Sequence, residues 1–132
     1  MAIVIPASYA DLLTREKKAF AHLATVKKDG TPQVTSVWFD WDSTHLIVNT
    51  ARGRVKDKIM HARRPVAMLI ADPGDPYRYL QIQGRVVAET EEGARAEIDD
   101  LSMKYCGEPF QTYKGETRVT YKILPERVQV NG

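Results

Sequence analysis

Alternation of apolar and polar residues on both sides of a tight turn is the feature that most restricts how this chain can fold. The segment AHLATVKKDGTPQVTSVWFDWD contains Asp29-Gly30, the strongest hairpin signal in the sequence. The period-two pattern around it predicts strands at 21–27 and 33–40. The two faces of the second strand then carry Gln33, Thr35 and Val37 on one side and Val34, Ser36 and Trp38 on the other.

Four further segments have strand patterns. HLIVNT (45–50) follows the hairpin, and the continuous apolar run PVAMLIAD (65–72) is typical of a buried central strand. After a turn at PGDP comes the long segment YRYLQIQGRVVAET (77–90), in which Gly84 indicates a bulge or a barrel bend. The last predicted strand is TRVTYKILPERVQV (117–130).

Three segments have helical patterns. SYADLLTREKKAF (8–20) begins with Ser8 as a candidate cap, a second helix is predicted from about 53 to 62, and EEGARAEIDDLSMKYCG (91–107) places Gly107 at its end. The positions predicted to contact the core are Val55, Ile59 and Ala62 in the second helix, and Ile98, Leu101 and Tyr105 in the third.

Roughly six strands, with helices confined to the ends and one crossover, predict an α+β, mainly β fold built on a small antiparallel barrel. A length of 132 residues is typical of one domain, so we expect 1–132 to form a single domain. No apolar run approaches the roughly 20 residues of a membrane span. The N-terminal stretch also lacks signal-peptide features, which favours a cytoplasmic location.

The segment NTARGRVKDKIMHARRP (49–65) concentrates positive charge in a chain whose net charge is only +2. Its cations are Arg52, Arg54, Lys56, Lys58, Arg63 and Arg64, and its one acid is Asp57. A solvated basic helix face is one interpretation. The other is a phosphate site, in which helix N–H groups act with the cations and Thr50 caps the helix or donates its hydroxyl. Repulsion among so many cations favours a bound anion.

Aromatic residues accompany small polar ones in two places. Trp38 and Trp41 lie beside the polar strand 33–36, which suits a flat heteroaromatic ligand, although two packing aromatics on a half-buried strand give the same pattern. Tyr77 and Tyr79 are more typical of a core or a dimer interface than of a ligand clamp. A ligand site at the seam of a dimer would satisfy both interpretations.

Residues for catalysis by the protein itself are not indicated. His22, His45 and His61 are scattered and interpreted as structural, and no Ser-His-Asp, Cys-His or metal-ligand spacing occurs. Cys106 is the single cysteine and is interpreted as an ordinary helix or core residue. Neither a P-loop nor a G-x-G-x-x-G motif is present. If the protein is an enzyme, a bound cofactor should therefore carry the chemistry.

Several motifs in order along the chain resemble a known family. These are the D-G-x-P hairpin, V-W-F-x-W-D, T-x-R-G-R-x-K and the Y-x-x-x-x-G strand. Together they resemble the flavin/deazaflavin split-barrel superfamily that includes pyridoxamine 5'-phosphate oxidase. The chain is most similar to its actinobacterial branch of small deazaflavin-dependent reductases.

The resemblance implies a six-stranded antiparallel split β-barrel that forms a homodimer, with a cofactor at each end of the dimer interface. It implies cofactor phosphate contacts from Thr50, Arg54, Val55, Lys56 and Lys58 in the basic segment. The ring of the cofactor would be lined by Gln33, Val34, Thr35, Ser36, Val48 and Asn49, with Tyr77 and Tyr79 from the other subunit. The substrate would lie against Trp38 and Trp41.

The implied cofactor is coenzyme F-420, a deazaflavin whose polyglutamate tail would suit nearby cations such as Lys27, Lys28 and Arg52; FMN is the alternative. The implied activity is hydride transfer to an electron-poor double bond of an enone, quinone or heterocycle, with no catalytic side chain assigned. Alternatives are an FMN-binding pyridoxamine-phosphate-oxidase-like oxidoreductase and a non-catalytic flavin or deazaflavin binder. A nucleic-acid-binding barrel, with a steep salt dependence and no chromophore, is a distant third. Neither nucleic acid nor membrane is an expected partner.

Overall fold

The computed structural model describes residues 3–111 and 115–132. The chain begins with a 3-10 helix at Ala7–Leu13, and its two α-helices are α1 (Val55–Ala62) and α2 (Ala94–Cys106). The strands are β1 (Ala21–Val26), β2 (Pro32–Val37), β3 (Asp40–Trp41), β4 (Leu46–Ala51), β5 (Pro65–Asp72), β6 (Asp75–Thr90) and β7 (Arg118–Asn131).

One antiparallel sheet contains all seven strands in the order β2-β1-β5-β6-β7-β4-β3. It curls into a half-barrel, which confirms the predicted split-barrel class. The count is seven rather than six because the strand predicted at 33–40 ends at Val37. Phe39 turns fully into the core at this break, and the short β3 that follows pairs with β4 instead of β1.

The concave side of the sheet holds the core, because alternate residues of each strand turn inward. In β1 the buried positions are Ala21, Leu23 and Thr25, and in β5 they are Val66, Met68 and Ile70. β5 lies between β1 and β6, so its predicted central place is confirmed. Its other face is only half-buried at Ala67 and Leu69, which leaves the convex side of the sheet available.

Gly84 marks a bulge, as its position in the sequence predicts. The register between β6 and β7 shifts between Gln83 and Gly84. A Cβ atom at Gly84 would meet the carbonyl oxygen of Leu124 and lie 3.3 Å from a methyl carbon of Ile123. The glycine is therefore required by the close approach of the neighbouring strand.

The N-terminal helix differs from its prediction. It is a 3-10 helix that ends at Leu13, and Ser8 makes no capping hydrogen bond with its side chain. The Arg78 guanidinium takes up this segment instead: it donates to the Ser8 carbonyl oxygen at 2.8 Å and to the Asp11 carboxylate at 2.6 Å. These contacts with β6 fix the segment, whereas a helix to residue 20 was predicted from local spacing alone.

Both α-helices lie near their predicted positions. In α1, however, Val55 and Ala62 are exposed, and the buried residues are Asp57, Ile59 and Met60. In α2 the stripe of Ile98, Leu101 and Tyr105 is buried or half-buried, as predicted. Gly107 ends α2 with a φ of 74°, a conformation that glycine adopts without strain. Cys106 is the last residue of α2 and is exposed.

Within residues 3–111 and 115–132, no helix has the length and apolar character needed to cross a membrane.

A candidate anion-binding cavity

The turn between β4 and α1 is built around one buried carboxylate. Gly53 has a φ of 94°, which favours glycine, and its N–H donates to Asp57 Oδ2 at 2.8 Å. The hydroxyl of Tyr121 on β7 donates to Asp57 Oδ1 at 2.6 Å. Burial alone would raise the pKa of Asp57, but the hydrogen bonds from Tyr121, Gly53 and Arg52 outweigh it and lower the pKa. The ionised Asp57 therefore ties the start of α1 to β7.

More of the positive charge of the basic segment is paired with acids than the sequence indicated. Arg52 donates to Asp57 at 3.1 Å, to Glu89 at 2.8 Å and to Glu91 at 2.9 Å. Arg64 also pairs with Glu89, at 2.8 Å. Within the segment the six cations outnumber one acid, but in the folded chain Glu89 and Glu91 from the end of β6 and just beyond it lie next to them. Arg52 is committed to these ion pairs, which argues against its expected role on an acidic tail.

Two other cations of the segment lie in a different place, at a cavity of about 200 Å³ between α1, α2 and the strand ends. The lining residues are Ser36, Val37, Trp38, Asn49, Thr50, Arg54, Lys56, Ile98, Leu101, Phe110 and Arg118. The cavity thus brings together predicted site residues from three separate stretches of the sequence. We call it the anion cavity.

Three cations meet at the anion cavity, and one of them was not predicted. Arg118 is only 7% exposed, and its Nη1 donates to the Glu116 carboxylate at 2.7 Å. Glu116 also contacts Arg54, at 3.4 Å. Burial, with Arg54 and Arg118 nearby, lowers the pKa of Lys56. Both causes, burial and the two neighbouring cations, disfavour the charged form of Lys56, and a bound anion would favour it.

Asn49 positions the unpredicted arginine. Its Oδ1 accepts from Arg118 Nε at 2.9 Å, while its Nδ2 donates to the Ala94 carbonyl oxygen at 2.8 Å. Asn49 was predicted to line a cofactor ring. Its side chain does line the anion cavity, yet both of its polar atoms serve to join β4, β7 and α2.

Thr50 carries the clearest sign of a missing ligand. It is 2% exposed, and its Oγ1 has no hydrogen-bond partner among the residues described. Leaving a buried hydroxyl unpaired costs about 1–3 kcal/mol, so such groups usually have a partner. In a cavity with Arg54, Lys56 and Arg118, a phosphate oxygen fits this hydroxyl. The predicted phosphate residues Thr50, Arg54 and Lys56 are therefore placed together.

An aromatic wall continues from the cavity along the convex edge of β2. Trp38 stacks on Tyr105 with a centroid distance of 5.4 Å, and Phe20 stacks on Tyr105 at 5.1 Å. Phe110 meets Trp38 edge-on at 6.2 Å, and the Arg118 guanidinium lies 5.0 Å from the Phe110 ring centroid. Trp38 is thus a wall of the cavity. Trp41 instead packs against the hydrophobic core, away from the cavity lining.

Several other predicted site residues lie elsewhere in the single chain. Val34 and Tyr79 line a separate depression of about 430 Å³ on the convex side of the sheet. Six more predicted site residues lie outside the anion cavity. Gln33 and Thr35 are half-buried on β2, and Val48 is in the core. Val55, Lys58 and Tyr77 are exposed. The cavity therefore accounts for the phosphate residues better than for the ring residues.

Arg118 and Phe110 were missed because they are far from the basic segment in sequence. The available signal was strand pairing: β4 pairs with β7, which places Ala51 opposite Arg118. Phe110 follows α2 and is fixed there, since its N–H donates to Asp99 at 3.1 Å and its carbonyl oxygen accepts from Arg95 at 2.9 Å.

Comparison with known proteins identifies the family. Residues 6–132 match the family described as pyridoxamine 5'-phosphate oxidase. The chain belongs to this family. The match covers nearly the whole sequence, including every residue of the anion cavity.

Solved structures of this family's fold agree with the assignment. A protein named F-420 reductase is 34% identical, with a TM-score of 0.84 over 95% of this chain and 98% of its own. A conserved hypothetical protein from Mycobacterium tuberculosis is 19% identical (TM-score 0.75, 98% and 86% coverage). General Stress Protein 26 from Bacillus anthracis is also 19% identical (TM-score 0.68, 92% and 92%). The last two support the fold alone, and the family and the first neighbour support a flavin- or deazaflavin-related oxidoreductase.

A half-buried carboxylate on α2, that of Glu97, is expected to make stability depend on pH. Glu97 Oε1 has no hydrogen-bond partner in the described part of the chain. Burial, reinforced by Asp40 and Asp100, raises the pKa of Glu97 from 4.5 to about 7. Protonated Glu97 therefore stabilises the folded state fully below pH 4.5, and this stabilisation is lost as pH rises through 7.

We expect Glu97→Gln to raise the melting temperature of the protein at pH 8 more than at pH 5, because the variant avoids a buried charge. Thermal unfolding at both pH values measures this difference. Glu92→Gln, at an exposed position beyond β6, is the matched control and should show no such pH dependence. A Glu97→Gln effect that is the same at pH 5 and pH 8 would contradict the assignment.

Proposed function

We propose that this chain is a coenzyme F-420-dependent reductase that transfers a hydride to an electron-poor double bond of an enone, quinone or heterocycle. The observation that supports this proposal most is the anion cavity, whose lining includes three cations and the unpaired, buried hydroxyl of Thr50. The preference for coenzyme F-420 over FMN is supported by the 34% identical protein named F-420 reductase.

The cofactor phosphate is assigned to Arg54, Lys56, Arg118 and the Thr50 hydroxyl. Glu116 is the carboxylate that contacts both arginines, so two of the three cations share one negative partner. The phosphate of the cofactor would offset part of this charge and accept from Thr50 Oγ1 at the same time. Because α1 begins at Val55, N–H groups at its start add a partial positive charge near the cavity.

The ring of the cofactor needs more room than the anion cavity offers. The cavity holds about 200 Å³, below the roughly 300–1,000 Å³ of pockets that enclose whole drug-sized ligands. Ser36 and Trp38 form its lip toward the convex side of β2, where Val34 is 65% exposed. We place the ring along this edge. When bound there, the reduced cofactor supplies the hydride, and the protein supplies position and charge.

FMN would satisfy the same phosphate residues, so the phosphate contacts do not discriminate between the two cofactors. The polyglutamate tail distinguishes coenzyme F-420 from FMN, which lacks it. Of the cations expected to bind it, Arg52 is paired with acids, whereas Lys27 and Lys28 lie exposed at the β1–β2 turn. A role for these two lysines remains part of the proposal.

A homodimer would complete the proposed site. The convex face of β1, β2, β5 and β6 presents the exposed Val26 and Val34 beside the small half-buried Ala24 and Ala67. Tyr77, 77% exposed, lies at the end of this face beyond Tyr79. We propose that a second copy of the chain covers this face, so that Tyr77 and Tyr79 reach the cofactor of the partner subunit.

Replacing Lys56 with alanine should weaken coenzyme F-420 binding by about 1–3 kcal/mol, or roughly 5- to 150-fold in Kd, through loss of a charge-assisted hydrogen bond to phosphate. Fluorescence titration of the apoprotein measures the change. Lys122→Ala is the charge-matched control, because Lys122 on β7 faces Asp42 at 3.9 Å rather than the cavity. Equal Kd values for Lys56→Ala and the wild type would refute the phosphate assignment.

Val34→Glu should convert the proposed dimer into a monomer, since it would bury a carboxylate in the centre of the contact. Sedimentation velocity measures the mass of each species. Val4→Glu is the control, because Val4 is 84% exposed and precedes the sheet. A wild-type chain that sediments as a monomer would contradict the dimer proposal.

A further inference from the structure

A serine and a histidine form a pair beside the anion cavity. Ser36 on β2 lies directly opposite His22 on β1 in the strand register, and Ser36 Oγ is 3.1 Å from His22 Nδ1. Both side chains are exposed on the convex face. At this distance a protonated imidazole donates its Nδ1–H to the serine oxygen, which frees the serine hydroxyl to donate elsewhere.

The pair lies between two cavities. Ser36 lines the anion cavity, and Ser36 and His22 together line a neighbouring cavity of about 340 Å³. Its other walls are Phe20, Ala71, Asp72 and Pro73. We call this the second cavity. Because Ser36 is common to both cavities, a molecule in the second cavity would lie next to the cofactor edge proposed above.

The second cavity differs from the anion cavity in chemistry. Phe20 is 50% exposed and ends the aromatic stack that runs through Tyr105 to Trp38, so it offers a flat apolar surface. Apart from His22, Asp72 is the one charged side chain in this lining, as far as the structure describes the chain. A hydrogen bond from the Gly74 N–H lowers its pKa, and Arg78 lowers it further, so Asp72 is anionic. These walls favour a neutral planar molecule over an anion.

His22 has few charged neighbours that would compete for its proton. It borders the second cavity and the depression that contains Tyr79 and Gln81, and Asp72 is the charged group among the described residues that line either one. Asp72 itself is held by Arg78 at 2.9 Å and Lys17 at 3.5 Å. The imidazole of His22 therefore contacts Ser36 on one side and opens into the second cavity on the other.

We propose that Ser36 and His22 are a proton-donating pair for a neutral α,β-unsaturated carbonyl compound bound in the second cavity. This inference rests on the proposed reductase function. Hydride addition to the β-carbon of the acceptor leaves an enolate. The Ser36 hydroxyl gives its proton to the α-carbon of that enolate, and the Nδ1–H of the His22 imidazolium replaces it. The hydride and this one proton together saturate the carbon–carbon double bond: the acceptor gains two electrons, the reduced cofactor loses two, and neutral His22 regains its proton from water.

A kinetic test uses the whole protein with reduced coenzyme F-420 and 2-cyclohexen-1-one. His22→Gln should lower kcat roughly 100-fold at pH 7, the lower end of the usual contribution of a general acid, while the Kd of coenzyme F-420 changes less than twofold. His45→Gln is the matched control, since His45 pairs with Asp42 at 3.1 Å outside both cavities. The wild-type kcat should fall as pH rises, and the His22→Gln kcat should not follow that dependence.

A second readout needs no cofactor. In the apoprotein, ¹⁵N NMR of the His22 ring should show a shift of the Nδ1 resonance on Ser36→Ala, because the hydrogen bond at 3.1 Å is removed. Unfolding temperatures of each variant check that the sheet is intact.

The outcomes separate the two proposals. If the wild type binds coenzyme F-420 and reduces cyclohexenone, but His22→Gln keeps the wild-type kcat and pH profile, the pair is not the proton donor and the cofactor site stands. An unchanged Nδ1 resonance in Ser36→Ala, or no turnover of cyclohexenone by a cofactor-loaded wild type, also overturns the inference. Failure of the wild type to bind coenzyme F-420 overturns the proposed function and this inference with it.

Discussion

The buried carboxylate of Asp57 is the interaction on which the functional end of the molecule depends. It accepts from Tyr121 of β7, from the Gly53 N–H in the turn and from Arg52. Through Arg52 the same cluster reaches Glu89 and thus the end of β6. Because α1 starts at this turn, the position of Lys56 at the anion cavity follows from these contacts. Removing one partner of such a buried network leaves a costly unpaired charge.

The positive charge of the basic segment serves two purposes that only the folded chain separates. Arg52 and Arg64 are compensated by acids from β6 and hold the strand ends together. Arg54 and Lys56 turn toward Arg118, where Glu116 offers the nearby carboxylate. The excess of charge is therefore localised at one cavity. Cations that converge on one cavity would recognise a phosphate more specifically than cations spread over a helix face.

Local patterns predicted most of the fold. The alternation around Asp29-Gly30 gave the β1–β2 hairpin, and Gly84 and Gly107 marked a bulge and a helix end because each meets a strict backbone requirement. The 3-10 helix was mispredicted because Arg78, far along the chain, holds it. Long-range pairing also explains the missed site residue: Arg118 reaches the cavity only because β7 lies beside β4.

The family resemblance predicts a site with two parts, one for the cofactor phosphate and one for its ring. A single chain brings together only the residues predicted for the phosphate. The phosphate residues Thr50, Arg54 and Lys56 meet in one cavity. The residues assigned to the ring spread over the convex face, where Val34 and Tyr79 line a shared depression. This division agrees with our proposal that the cofactor binds at the edge of a two-subunit contact, where the partner subunit would supply part of its walls.

The most direct measurement is an equilibrium titration of the wild-type apoprotein with coenzyme F-420 and with FMN, each repeated in the presence of inorganic phosphate. The account predicts that coenzyme F-420 binds at least tenfold more tightly than FMN and that phosphate competes with it. Binding that phosphate does not weaken, or no binding of coenzyme F-420, would contradict the assignment of the anion cavity as the cofactor site.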